Sequence, residues 1–311
     1  MQFEVSRRSF LKQATWSLLA LNATAIVSPC FSLAALISDG DPLPVENQLL
    51  SLVNEERAAA GLSSLKIDEL ACNVAQKHAI EMAENGFLSH WGRDGLKPYH
   101  RYSFAGGTEA IEENEGATDH GSPVPSEEIA PDIIGLHKTM YDESPPNDGH
   151  RQTILGAQHT HVGFGIACRG AHVRLSEIYL ARYASIDPHP AVVKPRSRFM
   201  FGGRVLDPAY AVKSIDVFYE SLPAKRDLPS LLTPQPYGLP DDRETLQLRL
   251  PENNFYEDGS RGSIELHGGG KFRAPIYAAK RLPGIYTIML WIQKWQVGDP
   301  FPVTQVCVRA E

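Results

Sequence analysis

Apolar residues recur every three or four positions in two early segments of the chain, residues 45–60 and 67–86. This spacing predicts two amphipathic helices. Asp68 begins the second segment and Gly86 closes it, which makes them the predicted N-cap and C-cap of that helix. The part of the chain that folds is therefore expected to start with two helices.

The next hundred residues alternate between polar stretches and short apolar runs. Residues 92–131 are rich in Gly, Pro, Asp and Glu, which predicts long loops around a short element at residues 112–114. A third helix is predicted over residues 131–141, and a short one begins at His150. Runs of β-prone residues at 161–167 and 177–183 predict two strands. This mixture of elements is typical of the α+β class.

Helical spacing disappears after a Pro-rich segment, residues 187–195, which is the predicted linker. Further on, apolar and polar positions alternate, and residues 284–293 are nearly all apolar, as in a strand buried on both faces. Several strands separated by Pro and Gly turns predict an all-β, sandwich-like domain over residues 196–311. Residues 45–186 form the predicted first domain.

The N-terminus carries the pattern of an export signal. Arg7 and Arg8 are followed by Phe-Leu-Lys and a moderately apolar stretch, which predicts a twin-arginine signal over residues 1–37. The alternative is an ordinary secretory signal with two arginines. Polar residues dilute the apolar stretch, so no permanent membrane span is expected in the mature protein. The predicted location is periplasmic or extracellular.

Charge and cysteine content restrict the partners and the chemistry. The formal net charge is −7, and no basic run follows the signal, which argues against nucleic acid or an anionic membrane surface as partner. Cys72, Cys168 and Cys307 remain after the predicted signal. An odd number leaves at least one thiol outside any disulfide, and buried, apolar roles are expected for Cys72 and Cys168.

The strongest chemical candidates are two histidines and two glutamates: His90, Glu113, Glu143 and His150. Two imidazoles and two carboxylates can bind a divalent metal or move protons. Their spacing alone does not show that they meet in space.

The short sequences around these residues resemble those of the CAP superfamily (cysteine-rich secretory proteins, antigen 5 and pathogenesis-related 1 proteins) in its bacterial form. The resemblance covers residues 45–186. Its motifs are Leu52 to Leu62, Phe87-Leu88-Ser89-His90, Glu113-Asn114, Met140 to Glu143, His150 to Leu155 and Val162 to Gly165.

The resemblance implies an α-β-α sandwich whose cleft holds His90, Glu113, Glu143 and His150 as a tetrad. In some members of the superfamily the two histidines bind zinc or another divalent ion. Glu113 and Glu143 then orient the histidines or hold a water. No organic cofactor is implied.

Three departures from the family pattern make a close match of substrate doubtful. Glu112 and Glu115 replace the usual Gly and apolar residue beside the Glu-Asn pair, Met140 replaces a Trp, and Thr153 replaces an Asn. The extra carboxylates are expected to raise a carboxylate pKa or to strengthen cation binding.

Three functions remain open at this stage. The first is an exported binding module whose cleft holds a divalent metal and a lipid, peptide or envelope fragment, while the β-domain contacts a cell-envelope or protein partner. The second is a metal-assisted hydrolase acting on peptide or envelope material, with the tetrad as its catalytic residues. The third makes the tetrad purely structural, with binding carried by the β-domain. The chain lacks the common hydrolase and nucleotide motifs, which favours the non-enzymatic interpretation.

Tyr286, Trp291 and Trp295 offer rings on which a sugar could stack. Alternation along the strand favours core packing for them instead.

Overall fold

The computed structural model describes residues 44–233, 235–295 and 297–311. The predicted export signal, with Arg7 and Arg8, lies outside these residues. Among the described helices, none combines the length and the apolar character that crossing a membrane requires.

The first part of the chain, called the N-terminal unit here, holds five helices and four strands in its described residues. These are α1 Val45–Ala59, β1 Lys66–Ile67, α2 Glu69–Asn85, α3 Pro98–Phe104, β2 Ala110–Asp119, α4 Ser126–Tyr141, α5 Gly149–Ile154, β3 His161–Arg169 and β4 His172–Ala181. The strands form one sheet in the order β1-β3-β4-β2. β1 runs parallel to β3, and the other pairs are antiparallel.

Helices cover both faces of this sheet. Val53 of α1, Ile133 of α4 and Ile154 of α5 share a buried cluster with apolar residues of β3 and β4. On the opposite face, α2 and α3 pack through a second cluster with β2 and β4. The N-terminal unit is therefore an α-β-α sandwich, as predicted.

The caps of α2 match the sequence prediction. Asp68 Oδ1 accepts a hydrogen bond from the N–H of Ala71 at 2.7 Å. Gly86 ends the helix in the left-handed conformation, with φ of 64°. Glycine is favoured there because it has no Cβ to clash.

Two glycines allow α2 to lie directly on β3. A Cβ at Gly163 would come within 2.3 Å of the backbone nitrogen of Cys72, and one at Gly165 within 2.1 Å of the carbonyl carbon of Ala75. Only hydrogen atoms fit between helix and strand at these positions, so the glycines set the distance between the two layers.

Two predictions for residues 92–141 were wrong. The third helix begins at Ser126 rather than at residue 131, and Pro131 lies inside it. Residues 92–131 are not simply long loops, because they contain α3 and the ten-residue strand β2. Only a short element was predicted where β2 lies, because the side chains that the strand buries include Glu113 and Glu115, which carry no apolar signal.

A buried histidine joins three elements on the α1/α4 face. His137 Nδ1 lies 2.7 Å from Glu177 Oε1 of β4, and its Nε2 lies 2.9 Å from Glu56 Oε2 of α1. Burial by itself would lower the pKa of His137, but the two carboxylates outweigh it and raise the pKa to about 10. The ring is thus an imidazolium that donates to both glutamates at neutral pH.

The C-terminal region follows, with ten described strands and one helix of four residues, where no helix was expected. They are β5 Ala184–Ile186, β6 Val192–Val193, β7 Arg198–Val205, β8 Tyr210–Ser221, α6 Leu228–Leu231, β9 Arg243–Gln247, β10 Glu265–His267, β11 Lys271–Tyr277, β12 Gly284–Lys294, β13 Val297–Pro302 and β14 Val306–Ala310.

Two sheets of the C-terminal region enclose one core. One sheet has the order β10-β11-β7-β5, and the other has the order β6-β14-β12-β8-β9 with β13 also paired to β12. Phe201 and Phe272 of the first sheet meet Ile288 of the second in this core. The sandwich-like, all-β prediction is confirmed. β6 lies within the Pro-rich segment 187–195 and pairs with β14.

Strand β12 is buried on both faces, as predicted. Tyr286 and Ile288 face the sandwich core, and Tyr286 is only 3% exposed. Ile285 packs on the other side with Tyr99 and Tyr102 of α3. Core packing is thus confirmed for Tyr286 but is wrong for Trp295, which lies beyond the end of the strand and is 64% exposed. The second sheet also covers the N-terminal unit.

All three described cysteines are free thiols. Cys168 and Cys307 are buried, and Cys72 is half-buried. Burial raises the pKa of the Cys307 thiol to about 12, so it remains protonated.

Candidate functional site

The first half of the candidate site is a pair formed by His90 and Glu113. His90 lies in the loop after α2, and Glu113 lies in the middle of β2. His90 Nδ1 and Glu113 Oε1 are 3.1 Å apart, and both side chains are buried. Arg101 of α3 holds both residues, since its guanidinium donates to Glu113 Oε2 at 2.6 Å and to the carbonyl of His90 at 2.7 Å.

The second half is a pair formed by His150 and Glu143. Glu143 follows the end of α4, and His150 lies in the first turn of α5. His150 Nδ1 is 2.5 Å from Glu143 Oε1, and the backbone N–H of His150 donates to Glu143 Oε2 at 2.9 Å. The amide of Asn114 donates to the carbonyl of His150 at 3.1 Å. Asn114 therefore ties α5 to β2 next to Glu113.

The structure thus arranges the four predicted residues as two histidine–glutamate pairs, which the neighbouring β2 residues Glu113 and Asn114 connect. In each pair Nδ1 faces a carboxylate, which fixes the tautomer and makes Nε2 the nitrogen that a metal would use. Burial lowers the pKa of His90 despite the opposing effect of Glu113, and the charges of His150 and Arg101 lower it further. A neutral imidazole is the form that ligates a metal.

The pKa values of the neighbouring carboxylates Glu113 and Glu115 are shifted in opposite directions. Burial would raise the pKa of Glu113, but Arg101, together with the two nearby histidines His78 and His90, holds it to about 2. Burial and the charge of Glu113 raise the pKa of Glu115 well above its ordinary value. Ser176 donates to Glu115 Oε1 at 2.8 Å. Glu113 is therefore ionised at neutral pH, whereas Glu115 keeps its proton to a higher pH than an ordinary glutamate does.

A further group that can hold a metal overlaps the first pair. Atoms of His78, Glu113 and Glu115 that can ligate a metal all lie within 4.8 Å of one another, and all three residues are buried. His78 packs on the apolar side of α2, and its Nε2 lies 2.7 Å from the carbonyl oxygen of Ser89. A cation here would also face the positive charge of Arg101. Glu115 is one of the extra carboxylates that the sequence predicts to affect cation binding, and it lies two residues from Glu113 on the same face of β2.

Glu112 and Thr153, two residues that depart from the family pattern, lie together on the face of β2 opposite to Glu113. Glu112 accepts a hydrogen bond from the hydroxyl of Thr153, and its Oε2 lies 3.6 Å from His159 Nε2. Burial raises the pKa of Glu112 to about 7, although the bond from Thr153 opposes the shift. Burial and the nearby Arg57 lower the pKa of His159 to about 3. The expected rise of a carboxylate pKa is therefore found at Glu112 and Glu115.

A residue of the C-terminal region completes the site. The ring of Tyr237 packs edge-on against His90, with 4.5 Å between ring centroids. Its hydroxyl accepts a hydrogen bond from the backbone N–H of Glu113 at 3.1 Å. No sequence pattern predicts this contact, because Tyr237 lies in an irregular segment 124 residues from Glu113.

Comparison with known proteins agrees with this architecture for the first part of the chain. Residues 50–183 match the model of the cysteine-rich secretory protein family, CAP. The match falls on the N-terminal unit and covers less than half of the chain. No curated protein matches the chain.

Two solved structures resemble part of the chain. One is an extracellular protein containing an SCP domain from Bacillus anthracis str. Ames, with 19% identity, a TM-score of 0.35, and coverage of 44% of this chain and 40% of that one. The other is an outer surface protein from Borrelia burgdorferi, with 18% identity, a TM-score of 0.35, and coverage of 44% of this chain and 92% of that one. The match thus spans less than half of the Bacillus protein.

Proposed function

We propose that the protein is an exported binding module whose cleft takes up a divalent cation, such as Zn²⁺, between His90 and His150. The observation that carries the proposal is the pairing of each histidine, through Nδ1, with a buried or half-buried glutamate. Carboxylate–histidine pairs of this kind orient imidazoles that ligate zinc. Glu113 and Glu143 would then act by orienting the histidines or holding a water.

Two histidines supply half of a tetrahedral coordination sphere. Water or a ligand would complete it, so the site would exchange its ion readily. Besides the ion, the cleft would hold a small or extended ligand, and the C-terminal region would contact an envelope or protein partner. Arg7 and Arg8 support export by the twin-arginine route to the periplasm or the exterior.

Zinc binding is tested by calorimetry on the mature protein without a histidine tag. We expect one zinc per chain in the wild type and none in the double variant His90→Ala/His150→Ala. The matched control is His189→Ala/His267→Ala, which removes two histidines of the C-terminal region and should bind as the wild type does. His78→Ala separates the two candidate groups, because it should leave zinc binding intact if His90 and His150 hold the ion.

The proposal fails if the wild type binds no zinc. If the double variant is then also much less stable to heat, the tetrad is a structural network. If His78→Ala lost zinc binding and the double variant kept it, we would conclude that His78, Glu113 and Glu115 hold the zinc instead.

The pKa of Glu113 argues against a hydrolase in which this carboxylate is the general base. A general base works best with a pKa near the working pH. Arg101 holds the pKa of Glu113 to about 2 against the effect of burial, so this carboxylate would be a weak base. A hydrolase would therefore depend on Glu143, and Glu143→Gln would separate loss of cleavage from loss of metal.

A further inference from the structure

The edge of the sheet beside the tetrad is covered by side chains of the C-terminal region. β2 pairs with β4 on one side only, which makes it an edge strand. The N–H of Ile111 donates to Gln305 Oε1 at 2.8 Å, and the N–H of Glu113 donates to the hydroxyl of Tyr237 at 3.1 Å. Residues two positions apart direct their N–H groups to the same side of a strand. Two side-chain oxygens thus take the place that carbonyl groups of a neighbouring strand would occupy.

Residues 235–240, called the covering segment here, supply Tyr237 and further contacts through their backbone. The carbonyl of Gly238 accepts hydrogen bonds from Lys97 Nζ at 2.9 Å and from the hydroxyl of Tyr99 at 3.2 Å. Leu239 packs on the apolar cluster that includes Leu96. The N-terminal unit therefore contacts this segment through a main-chain carbonyl, an aromatic ring and an apolar side chain.

These are the features by which a protein holds an extended peptide. Outward N–H groups of an edge strand require acceptors, and main-chain carbonyls of an added strand supply them. The donors on Lys97 and Tyr99 also contact a backbone atom, which every peptide possesses. A covalently attached segment competes at an effective concentration in the millimolar range, so it excludes a free peptide of similar affinity.

We propose that the cleft binds an extended peptide along β2, with an aromatic side chain against His90, and that the covering segment occupies this place until the peptide replaces it. The proposal names the ligand class of the cleft and rests on the proposed function as a binding module. Its contacts do not involve the metal, so peptide and zinc binding are measured separately.

The test uses the full mature protein and a fluorescent hexapeptide with the sequence of residues 235–240. Tyr237→Ala removes the ring and the hydroxyl that hold the covering segment in place. We expect this variant to bind the hexapeptide at least roughly tenfold more tightly than the wild type does. A hexapeptide with alanine in place of tyrosine should lose this gain. In NMR spectra, the amide signals of Ile111 and Glu113 should shift when the peptide is added.

Two further variants protect the test. Tyr277→Ala makes the same substitution on β11. This strand belongs to the first sheet of the C-terminal region, whereas Ile285 and Cys307 belong to the second, so the variant should bind the hexapeptide as the wild type does. Tyr237→Leu keeps an apolar side chain and is measured in parallel in case Tyr237→Ala does not fold. The proposal is overturned if neither Tyr237 variant gains affinity, or if both hexapeptides bind equally. Zinc calorimetry on the wild type is unaffected by either result, so failure of this inference and failure of the metal site are distinguishable.

Discussion

Arg101 donates to Glu113 Oε2 across 2.6 Å and so brings a positive charge to the centre of the candidate site. The Glu113 side chain is fully buried, and that of Arg101 is 11% exposed. Removing one partner of a buried ion pair leaves the other charge without compensation.

We therefore expect Arg101→Met to lower the free energy of unfolding by about 3 kcal/mol, measured by urea denaturation. Arg249→Met is the matched control, because it breaks a pair with Glu265 whose side chains are both more than 40% exposed. It should change stability by less than about 1 kcal/mol. Equal effects of the two substitutions would contradict a buried charge at Glu113.

The raised pKa of His137 predicts how the free energy of unfolding depends on pH. The pKa of its ring is about 10 in the folded protein, against an ordinary value of 6.5. A raised pKa means that the folded state binds the proton more tightly, so the contribution to stability is complete below pH 6.5 and is lost as the pH rises through about 10. We expect a loss on the order of 3 kcal/mol across this range.

Urea denaturation at several pH values measures this loss. His137→Gln should be less stable than the wild type at neutral pH and should lack this part of the pH dependence. His120→Gln, which alters a partly exposed pair with Asp132, should keep it. An unchanged pH dependence in His137→Gln would show that the ring is not an imidazolium.

The raised pKa of Glu112 also predicts a loss of stability with rising pH, but in a lower range, and here the substitution should stabilise the protein. Burial raises the pKa of this acid to about 7 from 4.5, so the folded protein resists its ionisation and loses stability as the pH rises through this interval. Its side chain is 27% exposed, which reduces the effect. We expect Glu112→Gln to be more stable than the wild type by about 1 kcal/mol at pH values above about 8, with little difference below about 5.

Denaturation at these two pH values checks the prediction. Glu244→Gln, an exposed substitution on β9, is the control and should match the wild type at both. If Glu112→Gln were destabilising at the higher pH, its charge would be compensated in the folded protein.

The close contact at Gly165 predicts how much the free energy of unfolding falls when a side chain pushes α2 away from β3. In Gly165→Ala the new Cβ would lie 2.1 Å from the carbonyl carbon of Ala75, and neither backbone can move without disturbing the other. We expect a loss of at least about 2 kcal/mol in the free energy of unfolding. The matched control is Gly135→Ala in the middle of α4, where a Cβ meets nothing within 4 Å. That substitution should stabilise the protein by about 0.5–1 kcal/mol, because alanine favours a helix. Equal effects would rule out close packing at Gly165.

Sequence reasoning succeeded where local chemistry decides the structure. α2 was predicted from its spacing and its two caps, because Asp68 and Gly86 act within one turn of the helix. It failed at β2, because a strand whose buried face carries Glu113 and Glu115 has no apolar alternation. Those carboxylates are stabilised by Arg101 and Ser176, which come from other elements.

The candidate site, too, could be predicted only in part from the sequence. The four tetrad residues were found through family resemblance, and their roles remain predictions. Tyr237 could not be predicted as a site residue, because no local sequence pattern indicates that a residue of the C-terminal region contacts His90. Contacts of this kind depend on how two parts of the chain dock, which periodicity does not encode.

The packing of β14 on α3 has a consequence for the growing chain. The backbone N–H of Cys307 donates to the hydroxyl of Ser103, 204 residues earlier. At about 5–20 residues per second, a ribosome needs roughly 10–40 s to make the chain between them. Throughout that time the part of the α3 surface that β14 covers stays open, although β2 and β4 can already pack on the helix. The speed of translation therefore sets how long this apolar surface is open to chaperones or to aggregation before the two parts can join.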